Sequence, residues 1–306
     1  MANGGIIGPP NDPTSTLSSK LSTINAACCA WTRGNACSTT ANILVIAGGG
    51  GASSTQGGGG GAGGYRTCTS YTIDGSTYKV AVGGGGAGTA SPSLNAGTPG
   101  SVSNFNTCDA GPTCKFESTG GGGANSAGGS GGGAGESGSP GAGNTPPTSP
   151  SQGNAGGTAA GAGGGGGGAG GVGGNYNIPA TFYGGIGGIG SSAWPGDSTL
   201  RGGGGGGGGQ THNAFGMRPN AGPGGGGQGG IQGSPGYPAP TPYIFATGDP
   251  GTVNTGGGGG SGGNSDEVPT GLRPGSAGGS GVVIICEPCG TKTVSASGVW
   301  SMQEQY

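Results

Sequence analysis

The chain has 306 residues; 91 are glycine, 29% are hydrophobic, 7% are charged, and the formal net charge is −2. An ordinary globular core needs more apolar surface than this, whereas disordered chains of low hydrophobicity usually carry high net charge. That leaves collagen-like, linker-like, silk-like or glycine-helix chains. Collagen requires glycine at every third position, and both the glycine run 202–209 and Ser191-Ser192-Ala193-Trp194 break that rule.

Further classes fall to charge and hydropathy. The nine Lys and Arg residues are scattered, so the basic footprint of nucleic-acid binding is missing. No apolar run approaches the ~20 residues of a membrane span. Met1-Ala2-Asn3-Gly4-Gly5 does not open a signal peptide, and no Asn-x-Ser/Thr sequon occurs. The expectation is a protein that reaches the outside of a cell without the secretory pathway, as virus particles released by lysis do.

In chain order, residues 1–13 contain Ile6, Ile7, Pro9, Pro10 and Pro13 and read as an extended arm. Residues 14–42 are rich in Ser, Thr and Ala, and 17–27 is expected to form a short helix. Ile43-Leu44-Val45-Ile46 is continuous and β-branched, the pattern of a buried strand, and it runs straight into glycines 48–51. Its counterpart is Val282-Val283-Ile284-Ile285, which follows Gly281; the two are expected to pair antiparallel and clamp the glycine region shut. Residues 65–71 and 77–82 alternate around Asp74-Gly75, which predicts a hairpin, and 101–106 with 115–119 predict a second. Beyond residue 120, glycine runs alternate with loops of Pro, Asn, Ser and aromatics. The domain plan is an attachment arm over 1–42, a glycine-rich domain over 43–286 and an attachment segment over 287–306.

Runs such as 57–61, 163–168, 202–209 and 256–260 have two readings. As linkers they would stay disordered, because glycine loses the most freedom on ordering. As left-handed polyglycine II helices, with three residues per turn and a rise of ~3.1 Å, they would point N–H and C=O groups outward in three directions and satisfy one another side by side. Eight residues then span roughly 25 Å. Hydrophobic strands at both ends and aromatics between the runs favour the second reading. The fold class is therefore irregular and all-β-like: packed polyglycine II helices, a small antiparallel β clamp and hairpins, with almost no α-helix.

Eight cysteines are present, at 28, 29, 37, 68, 108, 114, 286 and 289. An even count in a thin-cored extracellular chain suits disulfides. Cys108 and Cys114 would close their own loop, and Cys286 and Cys289 would tie to Cys28, Cys29, Cys37 or Cys68. The rival reading, a thiolate zinc site using Cys286-Glu-Pro-Cys289, lacks a second such pair. His212 is the only histidine, and no nucleophile elbow or phosphate-binding loop is found. No catalytic, cofactor or metal residue is expected. The remaining candidates are loop residues: Tyr176, Phe182, Tyr183 and Trp194; His212, Phe215 and Arg218; Tyr237, Tyr243 and Phe245. Aromatics beside Asn and Pro on rigid loops suit recognition of a receptor, sugar faces included. They equally suit capping of the bundle ends or subunit contact.

Ile43-Leu44-Val45-Ile46-Ala47-Gly48-Gly49-Gly50-Gly51, Ala62-Gly63-Gly64-Tyr65-Arg66, Tyr78-Lys79-Val80-Ala81-Val82-Gly83 and Gly279-Ser280-Gly281-Val282-Val283-Ile284-Ile285 resemble, in that order, the glycine-rich domain of bacteriophage tail-fibre and appendage proteins. The run architecture is also similar to the polyglycine II distal-tip adhesins of T-even-like phages. Residues 3–9 and 295–306 resemble segments of structural proteins of marine phages. The resemblance implies a non-enzymatic virion surface protein whose loops touch a host-surface glycan or outer-membrane protein. It implies partners among other virion proteins and copies of itself, a trimer included, with neither nucleic-acid binding nor membrane insertion. It also implies a glycine-rich insertion within one attachment module, both termini at the virion-proximal end. The alternatives are a capsid-decorating or filament-forming protein whose loops make subunit contacts, and an ice-binding polyglycine II protein, against which the irregular loops argue.

Overall fold

A computed structural model describes residues 22–24, 29–32, 40–73, 77–90, 97–105, 116–135, 137–176, 184–195, 197–211, 218–233, 245–263 and 273–286. No α-helix occurs among them; regular structure consists of short strands and extended glycine segments. Strands β1 (Ser22–Ile24), β11 (Val282–Cys286), β3 (Thr40–Ile46) and β4 (Tyr65–Thr72) form one antiparallel sheet in that order. Strands β2 (Cys29–Thr32), β5 (Thr77–Ala81), β6 (Ser103–Phe105) and β7 (Phe116–Ser118) form a second. The expected clamp is present: Ile43 pairs with Ile285, Leu44 with Ile284 and Val45 with Val283.

These two sheets make the apolar base. Ile43, Val45, Val283 and Ile285 on one face meet Val80, Tyr78 and Phe105 from the second sheet. The Phe105 ring stacks on Tyr78 at 5.3 Å and meets Tyr71 edge-on at 5.4 Å. Leu44, Ile46, Val282 and Ile284 on the opposite face are covered by Tyr65 and Trp194. Because β3 and β11 are buried on both faces, they read as continuous apolar runs.

The second expected hairpin forms, with Ser103 opposite Ser118 and Phe105 opposite Phe116. The first does not. β4 pairs with β3, while β5 pairs with β2 and β6, so the two strands belong to different sheets and do not pair with each other. Ile73, just after β4, is buried in the core between the two sheets. The helix expected over 17–27 is also corrected, since Ser22–Ile24 is a strand on the edge of β11. Residues 22–24 and 29–32 thus contribute two strands to the base.

From this base the chain runs into polyglycine II helices, identified by the period of their hydrogen bonds. Gly49 and Ala52 donate to the carbonyls of Gly279 and Ser276, Gly48 and Gly51 to Ser101 and Thr98, and Gly50 and Ser53 to Gly61 and Gly58. Residues three apart thus address one neighbour, and successive residues address three different ones, as a threefold helix without internal bonds must. Segment 57–64 donates in turn to 164–167, 256–259 and 119–122, and accepts from 47–53, 130–133 and 205–208. It is enclosed by six helices, and its N–H and C=O groups point alternately around it.

Such packing has no room for side chains. A Cβ on Gly49, Gly59 or Gly60 would meet the carbonyl of Gly257, Gly205 or Gly50 inside van der Waals contact. Larger residues sit mainly at outward positions, again with period three. Ile186 and Ile189 are 57% and 46% exposed between buried glycines, and along 83–90 the exposed residues are Gly84, Ala87 and Ala90. The interior is not pure glycine, however: Ala62, Ala124 and Ser130 are fully buried, and Ser261 is buried with its Oγ donating to the Ser53 carbonyl at 2.9 Å.

Candidate functional site

The bonding ladder fixes which end of the bundle each loop leaves from. Residues 47–53 run away from the base and 57–64 return, so the turn at 54–56 marks the far end. Thr89 N–H donates to the Ala52 carbonyl, Thr55 N–H to Arg273, Gly208 N–H to Gly57, Gly163 N–H to Gly208, and Tyr176 N–H to Thr158. The loops 91–96, 177–183, 212–217 and 264–272 therefore all depart at that far end. Loop 234–244 joins them, because Gly209 N–H donates to Gly230 where the chain enters β9. The turns at 170–171, 191–200, 223–225 and 252–255 lie at the base instead.

A third sheet stands at the far end, which sequence patterning did not expose. Strands β8 (Gly209–Thr211) and β9 (Ile231–Gly233) pair in parallel, and β10 (Phe245–Ala246) joins β9 antiparallel. With only two or three residues each, these strands are too short to show alternation. They are extended runs out of polyglycine helices that already lie side by side.

Arg218 anchors this sheet. Its Nε donates to the Gly229 carbonyl at 3.0 Å, and its Nη2 donates to the Thr247 carbonyl at 2.7 Å. The same nitrogen pairs with Asp249 Oδ1 at 2.9 Å. Arg218 is thereby engaged with the segments that carry the loops. Trp194, expected among the loop candidates, is 1% exposed and packs on Leu44, Ile46 and Ile284 at the base. Its backbone N–H donates to Tyr65 Oη at 2.9 Å, and burial pushes that phenol above its ordinary range.

Tyr176 is half-buried where the chain enters loop 177–183. Phe245 lies in β10, at the exit of loop 234–244. Phe182, Tyr183, His212, Phe215, Tyr237 and Tyr243 lie outside the described residues. At the base, Arg201 grips Asp197 through two bonds of 2.8 and 2.9 Å. The side-chain bond from Arg201 holds the Asp197 carboxyl below its ordinary range, against a smaller opposing effect of burial. Gln152 is a second staple, accepting from Thr119 N–H at 2.9 Å and donating to the Pro146 carbonyl at 2.9 Å. Neither had a signal in sequence, because each depends on where a distant carbonyl arrives.

Cys68 and Cys286 are thiols in this structure. Cys68 sits opposite Ile43 on β4 and Cys286 opposite Asn42 on β11, with β3 between them. Two strand spacings, about 9.5 Å, exceed the ~7 Å limit for a disulfide, so these two cannot join one another. Cys28, Cys37, Cys108, Cys114 and Cys289 lie outside the described residues, as does the side chain of Cys29.

A family model described as a glycine-rich domain matches residues 23–286. The chain belongs to that glycine-rich domain family. The match begins inside β1 and ends at the last residue of β11, so it spans the base and the bundle together. No curated protein matched the chain. For this glycine-rich domain the functional question passes from the runs to the surfaces they hold apart.

Proposed function

We propose that this glycine-rich domain is a non-enzymatic virion surface protein, the tip of a phage tail fibre or similar appendage, whose far-end loops bind a host-surface glycan or outer-membrane protein. The observation that carries the reading is the separation of the two ends. The chain enters through β3 and leaves through β11, paired side by side at the base. The loops 91–96, 177–183, 212–217, 234–244 and 264–272 depart together from the opposite end, more than 20 Å away at ~3.1 Å per residue. A rigid backbone bundle that keeps attachment and display apart suits an adhesin. The order of sequence landmarks, which resembles that of phage tail-fibre domains, supports the same reading.

The test is to image virions labelled by an antibody against residues 234–244 and to measure binding of the purified chain to host cells. Label at free appendage ends, with cell binding that the antibody blocks, is the expected result. Label hidden in a repeating array, without cell binding, would replace the reading with a capsid-decorating or filament-forming role.

A further inference from the structure

We infer that the fold is a strut with a built-in direction: it holds against tension between base and far end, and opens when its two chain ends are drawn apart. The bonding pattern carries this by itself, and the appendage reading supplies only the source of the tension.

A polyglycine II helix has no internal hydrogen bonds, so it resists being drawn out only through its neighbours. Here the neighbours are bonded along the whole length. Every N–H from Ala47 to Ser53 donates to another segment, and the same holds along 163–169 and 202–209. These bonds lie across the helix axes, so tension along the axes loads them together, in shear. A helix that slides meets equivalent partners again only after one repeat of three residues, about 9.3 Å. Buried side chains oppose even that step. Ala62 is fully buried, and one repeat away stands Gly59, where a Cβ would meet the Gly205 carbonyl.

The base answers two directions of pull differently. Segment 83–90 runs toward the far end, and segment 273–281 runs down into β11. Gly275, Gly278 and Gly281 donate to Thr89, Gly86 and Gly83, so drawing the two segments apart along the axis shears all three bonds at once. β11 itself lies between β1 and β3. Sideways, the same strands have no such protection. Cys286 faces Asn42 and Val282 faces Ile46, while Ser22 faces Ile285 and Ile24 faces Val283. Ser22 and Cys286 thus lie at one end of the sheet, and pulling them apart there parts the strand pairs one after another.

The experiment is single-molecule force spectroscopy of the full chain, with one handle fixed at the C-terminus. The second handle is placed either at the N-terminus or on an azide-bearing side chain in place of Ala90. Ala90 is exposed and follows Thr89, whose N–H reaches Ala52 at the far end. Forced unfolding reads the unfolding barrier, so at equal loading rate the Ala90 pair should rupture at higher force than the terminal pair. Equal forces, or a stronger terminal pair, would overturn the inference. So would an Ala90 pair that yields in a series of short, low-force steps, because helices would then be leaving singly. No receptor enters the measurement, so its failure leaves the adhesin reading standing. A repeating-array label in the virion images would remove that reading and leave these forces unchanged.

Discussion

At the scale of the residue, glycine serves here through its missing Cβ more than through conformational freedom. Among the described glycines, positive φ occurs at 161, 202, 224, 225 and 256, whereas close backbone approach recurs along every run. Gly60 and Gly84 separate the two effects. A Cβ on Gly60 would strike the Gly50 carbonyl, while one on Gly84 meets nothing within 4 Å. Gly60→Ala should destabilise by about 2–4 kcal/mol, through overpacking and displaced hydrogen bonds. Gly84→Ala, in a compatible conformation, should stabilise by about 0.4–1 kcal/mol; urea melts of both variants check the pair. Asp197 gives a pH prediction. Its carboxyl is held down by Arg201, so its contribution is present above the ordinary carboxylate pKa of about 3.9 and is lost as pH falls through the lower folded value. Acidification through that window should loosen loop 191–200 before the bundle, as a change in Trp194 fluorescence. Asp197→Asn should produce the loosened state at neutral pH.

At the scale of the element, an edge helix should show its threefold symmetry in hydrogen exchange. Along 83–90, the N–H groups of Gly86 and Thr89 donate inward to Gly49 and Ala52, Ala87 N–H donates to Thr98 Oγ1 at 2.7 Å, and Gly84 is exposed. Amide exchange read by NMR should therefore be slow at Gly86 and Thr89, three residues apart, and fast at Gly84, with Ala87 slowed by its bond to Thr98. At the base, the apolar strands carry the packing energy. Trp194→Ala removes a large side chain from the outer face of β3 and β11 and should cost about 3–5 kcal/mol in chemical denaturation. Binding at the far end, scored on the folded fraction, should be unchanged, because Trp194 lies with the base. The strands also mark what sequence could and could not show. Ile43-Leu44-Val45-Ile46 and Val282-Val283-Ile284-Ile285 announced themselves because burial on both faces demands continuous apolar residues. β8 and β9 did not, because three residues beside glycine carry no period.

At the scale of the whole molecule, the bundle has no local way to fold. Segment 57–64 takes partners as distant as 205–208 and 256–259, so no helix is satisfied until its neighbours arrive. Unfolding should therefore be one cooperative transition, and refolding slow, in the range of seconds typical of non-local topologies or longer; stopped-flow fluorescence of Trp194 reads both. A populated, independently melting half of the bundle would contradict this. The sequence by itself determined the class of scaffold, since runs without side chains bounded by two matched apolar strands leave backbone-to-backbone packing as the ordered solution. It also determined the clamp, because two continuous apolar runs at the ends of the glycine region both need burial on two faces and supply it to each other as sheet neighbours. The tertiary structure alone decided which loops share an end, that Trp194 is core, and that Arg218 is a bracket. Those facts depend on which carbonyl of a remote helix lies beside a given residue. In a run where every residue is glycine, the sequence holds no mark of register or neighbour.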